Sequence, residues 1–409
     1  MHSEFDFSHY SHRRFNPLTN SWVLCSPHRT QRPWQGKTEE DDPADRRPQR
    51  DPTCYLCPGN TRAGGLLRNP DYTTTFVFEN DFPAVQRDQP SFNPQAGGAT
   101  PNPLLRTESV RGECHVICFT PRHDKTMAEM TEPELLPVID TWTDLFQTLS
   151  VKDHVGHVQI FENKGAIMGC SNPHPHGQCW ATEDIPQEPA TELLSLRRYR
   201  EEHPGRCLLC DYVKTEQDHD RRCQATSSPT TAAAAAITTH AKVGTTTEPE
   251  GTRIVCENAS FVCVVPFWAI WPFETLVLAK QHVATLADLD DQQKRDLANI
   301  LRRITCRYDN LFHCSFPYSM GIHQAPCVTT TNNEHADEMH GLAHLHLHFY
   351  PPLLRSATVK KFLVGFELMA QAQRDLTPEQ AARRLIDCSE VHYKTLANTT
   401  STTPAKETS

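Results

Sequence analysis

His123-Asp-Lys-Thr126-Met-Ala-Glu-Met-Thr131 and His282-Val-Ala-Thr285-Leu-Ala-Asp-Leu-Asp290 carry one pattern twice. Each opens with a histidine, places threonine three residues on and an acid six on, and closes on Thr or Asp, both good helix N-caps. Each follows an apolar, strand-like stretch, His115–Phe119 or Thr275–Leu278, and each leads into a run with helical period. In the first run Leu135, Val138, Ile139, Trp142, Leu145, Phe146 and Leu149 share one face, with Pro133 in the first turn. In the second, Leu297, Ile300, Leu301, Ile304, Tyr308 and Leu311 do the same. Two strand-like segments follow each helix, and the second of them bears alternating histidines, His174-Pro-His176 or His344-Leu-His346-Leu-His348. A strand–helix–strand unit used twice predicts an α+β fold: two repeats forming a largely antiparallel sheet with helices packed on it.

The repeat divides the 409 residues into an N-terminal unit over 1–213 and a C-terminal unit over 252–394. Between them, Lys214–Gly251 is rich in Thr, Ser and Ala and reads as a disordered inserted linker. Lys37–Arg50, with blocks of opposite charge, reads as a mobile loop, and residues 395–409 as a disordered tail. Forty basic against fifty acidic side chains give a net charge of −10, which argues against a general nucleic-acid binder. The longest apolar run, Phe261–Phe273, is too short to span a bilayer and holds Pro266 and Pro272. The acidic His2-Ser-Glu-Phe-Asp-Phe start has no leader pattern, so a cytoplasmic protein is expected, without membrane or nucleic-acid partners. In that setting most of the sixteen cysteines, such as Cys118, Cys263 and Cys306, read as small buried hydrophobes.

Ser171-Asn-Pro-His174-Pro-His176-Gly-Gln178 is the first chemical motif. Residues two apart on an extended segment face one side, so both imidazoles would project into one site, stiffened by Pro173 and Pro175. A neutral imidazole is a competent nucleophile near pH 7, and Gln178 can donate to an anionic oxygen. The competing reading is a proline-rich turn with solvated histidines. Cys54-Tyr-Leu-Cys57-Pro-Gly has the shape of a zinc knuckle, for which His123 and His174 are candidate partners, although one such pair also suits a plain turn. Cys207-Leu-Leu-Cys210 lacks the Pro-Gly turn and reads as structural. Two of His344, His346 and His348, with His323 and a carboxylate, would make a divalent-metal site, spacing alone leaving open which two. The Ser26–Gly36 loop holds Arg29 and Arg32 and fits either a diphosphate clamp or a solvated basic loop. The sequence has no Walker A or GxGxxG pattern.

Ser171–Gln178, Ser26–Gly36 and His346–Phe362 closely resemble the galactose-1-phosphate uridylyltransferase family, a two-repeat branch of the histidine triad superfamily. The resemblance implies a ping-pong exchange of uridylyl between UDP-glucose and galactose 1-phosphate through a uridylyl-histidine. His176 would be the nucleophile and Gln178 the stabiliser of phosphoryl charge. Asn163, Gly169, Cys170 and Ser171 would contact phosphates, and Asn80 and Asp81 the uridine. Cys54, Cys57, His123 and His174 would hold zinc. Glu192, His323, His346 and His348 would hold a second divalent metal, zinc or iron, leaving His344 unassigned. The family's dimeric habit would carry Arg29 and Arg32 to a partner's ligand. Lys361, Phe362, Val364, Phe366, Glu367 and Gln373 would face the hexose and sugar phosphate. A related enzyme acting on another nucleotide sugar such as ADP-glucose, or a histidine-rich metal binder without catalysis, is the alternative.

Overall fold

The computed structural model describes residues 5–31, 47–90, 102, 104–105, 107–227, 249–327, 333–352 and 363–400. Arg32, Lys361 and Phe362 lie outside them. In chain order, β1 (His12–Asn16) and β2 (Ser21–Cys25) form a hairpin. The first repeat follows with β3 (Phe76–Glu79), β4 (Gly112–Cys118), α1 (Glu132–Ser150), β5 (His157–Lys164) and β6 (His176–Thr182). Helices α2 (Gln187–Glu202) and α3 (Leu208–Ser227) lead to the second repeat. That repeat comprises β7 (Ile254–Glu257), β8 (Phe261–Val264), β9 (Thr275–Ala279), α4 (Asp291–Phe312), β10 (Tyr318–His323), α5 (Asn333–Leu342) and β11 (His346–Tyr350). The chain closes with α6 (Phe366–Met369), β12 (Gln373–Arg374), α7 (Pro378–Ile386) and α8 (Tyr393–Thr400).

The two expected helices start where their caps place them. Thr131 opens α1 in a reciprocal capping box with Glu134, and Asp290 opens α4 in the same way with Gln293. A short turn before each is capped identically, Thr126 with Glu129 and Thr285 with Asp288. The helical faces read from the sequence are buried against each other and against the sheet. Trp142 is fully buried there and packs edge-on against Phe119 at 5.9 Å. Truncating such a side chain costs about 3–5 kcal/mol.

The nine-stranded sheet has the order β3-β4-β6-β5-β10-β11-β9-β8-β7, with antiparallel pairing between all neighbours. The first eight strands read the same from either side of the β5–β10 seam, so the repeats are related by approximate two-fold symmetry. In the small sheet β1-β2-β12, β12 pairs in parallel with β2. Strand alternation gives the large sheet two different faces. Cys179, Ala181, Ile160, Ile322, Leu347 and Phe349 point into the helical core. His176 and Gln178 on β6, and His346 and His348 on β11, point to the other side. Gly177 lies between them on the core side, where a Cβ would come within 2.9 Å of both the Phe119 ring and the Phe161 carbonyl oxygen.

Several sequence expectations change. The linker expected over 214–251 begins as a helix: α3 continues to Ser227, because Val213 packs into a core cluster and the buried Glu216 pairs with Arg253 at 3.0 Å. Residues 228–248 lie outside the described set. Helix α8 occupies the start of the expected 395–409 tail, with its first residue anchored by Tyr393 N donating to Asn310 Oδ1 at 2.7 Å. Of the loop at 37–50, residues 47–50 are described, and Arg47 donates to the Pro173 carbonyl at 2.6 Å. All sixteen cysteines lie among the described residues and none is in a disulfide, and Cys118, Cys263 and Cys306 are buried as expected. Arg14 and Arg253 share Glu379 at 2.8 and 2.9 Å, a buried network joining β1, the residue just before β7, and α7.

Candidate active site and metal clusters

The proline-stiffened entry to β6 builds the first site. His176 Nδ1 lies 2.7 Å from the carbonyl oxygen of His174, an acceptor only, so Nδ1 carries the hydrogen and Nε2 keeps its lone pair. Burial pushes the His176 pKa down, which keeps the ring neutral near pH 7. The ring lines a cavity of about 350 Å³ together with Asn163, Cys170, Ser171, His174 and Arg47. Across the seam, Ser319 Oγ donates to Asn163 Oδ1 at 2.7 Å, so the second repeat orients a side chain of the first repeat's cavity. Gln178 sits on the His176 face of the strand. Its Oε1 accepts from the Trp180 indole at 3.1 Å, and since indole is donor-only this turns the amide NH2 away from Trp180. Gln178 is not among the residues that line the cavity, but a lone pair on one imidazole with the Arg47 guanidinium in the same cavity suits attack on an anionic phosphoryl group. A larger groove of about 720 Å³, between Arg122, Glu132, Arg302 and Lys394, lies at the start of α1 and contains neither the His176 nor the His346 cluster.

Behind the cavity, Cys54, Cys57, His123 and His174 come together, all four buried and with their ligand atoms within 4.8 Å of one another. Cys57 Sγ is 3.5 Å from His174 Nδ1 and 3.7 Å from His123 Nδ1. His174 Nε2 is 2.8 Å from the Thr120 carbonyl oxygen, which fixes the tautomer and leaves Nδ1 to face the sulfurs. A metal-binding histidine ordinarily donates its other N–H in this way. His174 and His176 both line the cavity, yet their rings serve different neighbours: one faces thiols, the other the open space.

On β11 the alternation places His346 and His348 on one face, where His323 of β10 and Glu192 of α2 meet them. His323 Nδ1 lies 2.7 Å from Glu192 Oε2, and His346 and His348 Nε2 lie 3.4 and 3.3 Å from the same carboxylate. Burial alone would raise Glu192, but the charge on His323 and the hydrogen bond from its ring hold it well below the usual carboxylate range. The Nε2 atoms of His346 and His348 are buried without a hydrogen-bond partner, and such orphaned lone pairs fit a metal ion. His344 does not share this site. The strand begins at His346, and His344 lies just before it, its ring beside Cys207 and Cys210. That corrects the reading of the Cys207–Cys210 pair as merely structural: with His282 and His344 it forms a third cluster of possible metal ligands.

The remaining sequence candidates are dispersed. Asn80 and Asp81 follow β3, at the far edge of the first repeat; Asp81 is paired with Arg62, and Asn80 Oδ1 accepts from Phe82 N at 2.9 Å. Gly169, in a left-handed conformation at φ 81°, ends the short turn after Ala166 and does not line the cavity. Arg29 is 3.4 Å from Asp375, and Gln373 is buried on β12 with its amide donating to Asp375 at 2.7 Å. Val364 and Phe366 are exposed and Glu367 is partly buried, just before the small sheet's β12. None of these five lines the His176 cavity of its own chain. Sequence reasoning missed Arg47, hidden in a charged loop without a local motif, and the ligand set around Cys207. For the latter a signal existed, since His282 and His344 hold the repeat positions of His123 and His174.

A tandem histidine-triad architecture with one cavity-facing imidazole defines the class: a two-repeat nucleotidyltransferase. The family models for the N-terminal and C-terminal domains of galactose-1-phosphate uridyl transferase match residues 2–186 and 192–397. The galactose-1-phosphate uridylyltransferase of Schizosaccharomyces pombe is 48% identical over 407 residues, covering 96% of this chain and 99% of that one. The enzyme of the same name from Haemophilus influenzae is 47% identical over 394 residues, covering 96% and 99%. Among solved structures, a uridylyltransferase superposes with a TM-score of 0.63 at 23% identity, covering 92% of this chain and 97% of that one. An Arabidopsis thaliana ADP-glucose phosphorylase has the same TM-score at 22% identity, covering 93% and 99%, which speaks for the shared fold. The chain belongs to the galactose-1-phosphate uridylyltransferase family.

Proposed function

We propose that the protein exchanges uridylyl between UDP-glucose and galactose 1-phosphate by double displacement at His176. The observation that carries this is the 2.7 Å contact from Nδ1 to the His174 carbonyl, which leaves Nε2 as the nucleophile. Nε2 attacks the α-phosphorus, the bond to the glucose 1-phosphate oxygen breaks, and a uridylyl-imidazole remains. Its positive ring is stabilised by the same carbonyl. The phosphate oxygen of galactose 1-phosphate then attacks, UDP-galactose forms, and His176 returns to its neutral tautomer. Splitting one nucleotidyl transfer in two makes each step a positioning and charge-stabilising problem. Gln178, with Asn163, Cys170, Ser171 and Arg47, is assigned to the phosphoryl oxygens, with Gly169 shaping the turn that carries Cys170, and Asn80 and Asp81 are assigned to the uridine.

The Cys54 cluster, two thiols and two imidazoles, suits zinc; the Glu192 cluster, three imidazoles and a carboxylate, suits zinc or iron. Bound there, each metal would staple the strand entry that carries His174 or His346 and supply structural rigidity. We further propose a cytoplasmic homodimer with shared sites, in which Arg29, Arg32, Lys361, Phe362, Val364, Phe366, Glu367 and Gln373 complete the partner's sugar-phosphate pocket. Support comes from side chains left uncovered in one chain: Val364 is 58% exposed and Phe366 53%.

The test is peptide mapping of protein incubated with UDP-glucose alone and quenched at high pH, where a phosphoramidate survives. The expected result is a uridylyl group on the His176 peptide, discharged by galactose 1-phosphate. An adduct on another residue, or an absolute need for both substrates before any product leaves, would sink the assignment. ADP-glucose in place of UDP-glucose should label the protein poorly.

A further inference from the structure

The third cluster stands at the repeat position of the first. His282 corresponds to His123 and His344 to His174 in the duplicated pattern. The correspondence extends to detail. The His282 and His344 rings have centroids 5.5 Å apart at 80°, and the His123 and His174 rings 5.5 Å apart at 75°. His344 Nε2 lies 2.8 Å from the Ala279 carbonyl just as His174 Nε2 lies 2.8 Å from that of Thr120. In each repeat the histidine two residues on directs its Nδ1 at this residue's carbonyl, His346 to His344 at 2.6 Å and His176 to His174 at 2.7 Å.

The cysteines complete the match by a different route. Cys54 and Cys57 sit in a Pro-Gly turn, whereas Cys207 immediately precedes α3 and Cys210 lies in its first turn, so that i, i+3 spacing puts both sulfurs on one side. Each sulfur is 3.5 Å from His344 Nδ1. Zinc bonds of about 2.3 Å to sulfur and about 2.0–2.1 Å to nitrogen, at the tetrahedral angle, separate the two donors by about 3.6 Å. The longer separation, 4.0 Å from Cys210 to His282, involves an exposed ring that a small rotation brings in.

We infer that Cys207, Cys210, His282 and His344 bind a third metal ion, a tetrahedral structural zinc, distinct from the Cys54 and Glu192 sites. The ion fastens α3 to the connections after β9 and before β11. By fixing His344 it also fixes the carbonyl that sets the His346 tautomer and aims His346 Nε2 at Glu192. The assignment does not depend on which sugar nucleotide the enzyme uses.

Metal analysis of the fully loaded full-length protein is expected to give three equivalents per chain, and Cys207→Ser or His344→Ala to lose one zinc while the other two metals stay. A variant that unfolds is replaced by a measurement on the wild type: iodoacetamide labelling mapped by mass spectrometry, with and without a zinc chelator. Cys207 and Cys210 should resist alkylation until the chelator is added and react afterwards. Rapid labelling without chelator, a Cys207–Cys210 disulfide in the native protein, or undiminished zinc in a folded Cys207→Ser variant would each overturn the site.

Discussion

At His176 the carbonyl of His174 decides which nitrogen keeps its lone pair, and at Gln178 the indole of Trp180 decides which way the amide NH2 is turned. The chemistry therefore rests on two hydrogen bonds that place hydrogens. His176→Ala is expected to abolish both exchange and the trapped adduct with an unchanged melting temperature, since no proposed metal ligand is touched. Gln178→Ala should slow transfer about a hundredfold, the usual effect of losing one donor to developing charge, on the order of 3 kcal/mol. Trp180→Phe keeps the ring and removes only the orienting donor. A loss of about 1 kcal/mol, roughly fivefold in kcat with KM little changed, is expected. If Trp180 works through Gln178, adding Trp180→Phe to Gln178→Ala should cost nothing more; additive losses would refute that link.

Among the elements, what was legible in the sequence is what local chemistry dictates. Thr131 with Glu134 and Asp290 with Gln293 announce their helices, and the apolar spacing behind them announces the faces those helices bury. The alternating histidines announce β6 and β11, though not where β11 begins, because one extended residue more or less leaves the pattern intact. His344 was lost there. Cys207 and Cys210 were set aside for want of a Pro-Gly turn, yet a helix start aligns two thiols as well as a turn does. Residues 214–227 looked like linker because their composition is polar; their contribution is the Glu216–Arg253 pair, which no periodicity reveals. Arg47 reaches the cavity from a loop whose partners are distant in sequence, beyond any local rule. For the zinc-knuckle turn, Cys54→Ser is expected to lose one metal equivalent and lower the melting temperature while leaving measurable uridylyl transfer; full metal content in this variant would remove Cys54 from the ligands.

For the molecule as a whole, charge buried at the junctions governs how it fails. Glu379→Gln strips Arg14 and Arg253 of a shared buried carboxylate and should cost about 3–5 kcal/mol, read by denaturant melts. Burial would raise Glu113, but Arg87 and Lys152 hold its pKa down at about 2, against 4.5 for a free carboxyl. A depressed pKa means that this stabilisation is complete above pH 4.5 and is lost as pH falls from there toward 2. The melting temperature should drop through that window, and less steeply in Glu113→Gln. The β5–β10 seam has a consequence of another kind. A strand pair between two copies of one unit is what a half-length ancestor would use to dimerise, with both subunits bound to the same duty. Once duplication and fusion turn that interface into interior, the copies are free to specialise. In the proposed reaction the first repeat uses His176 and Gln178 for chemistry, while the second fills the same two places with His346 and His348 and sets them in a cluster of possible metal ligands.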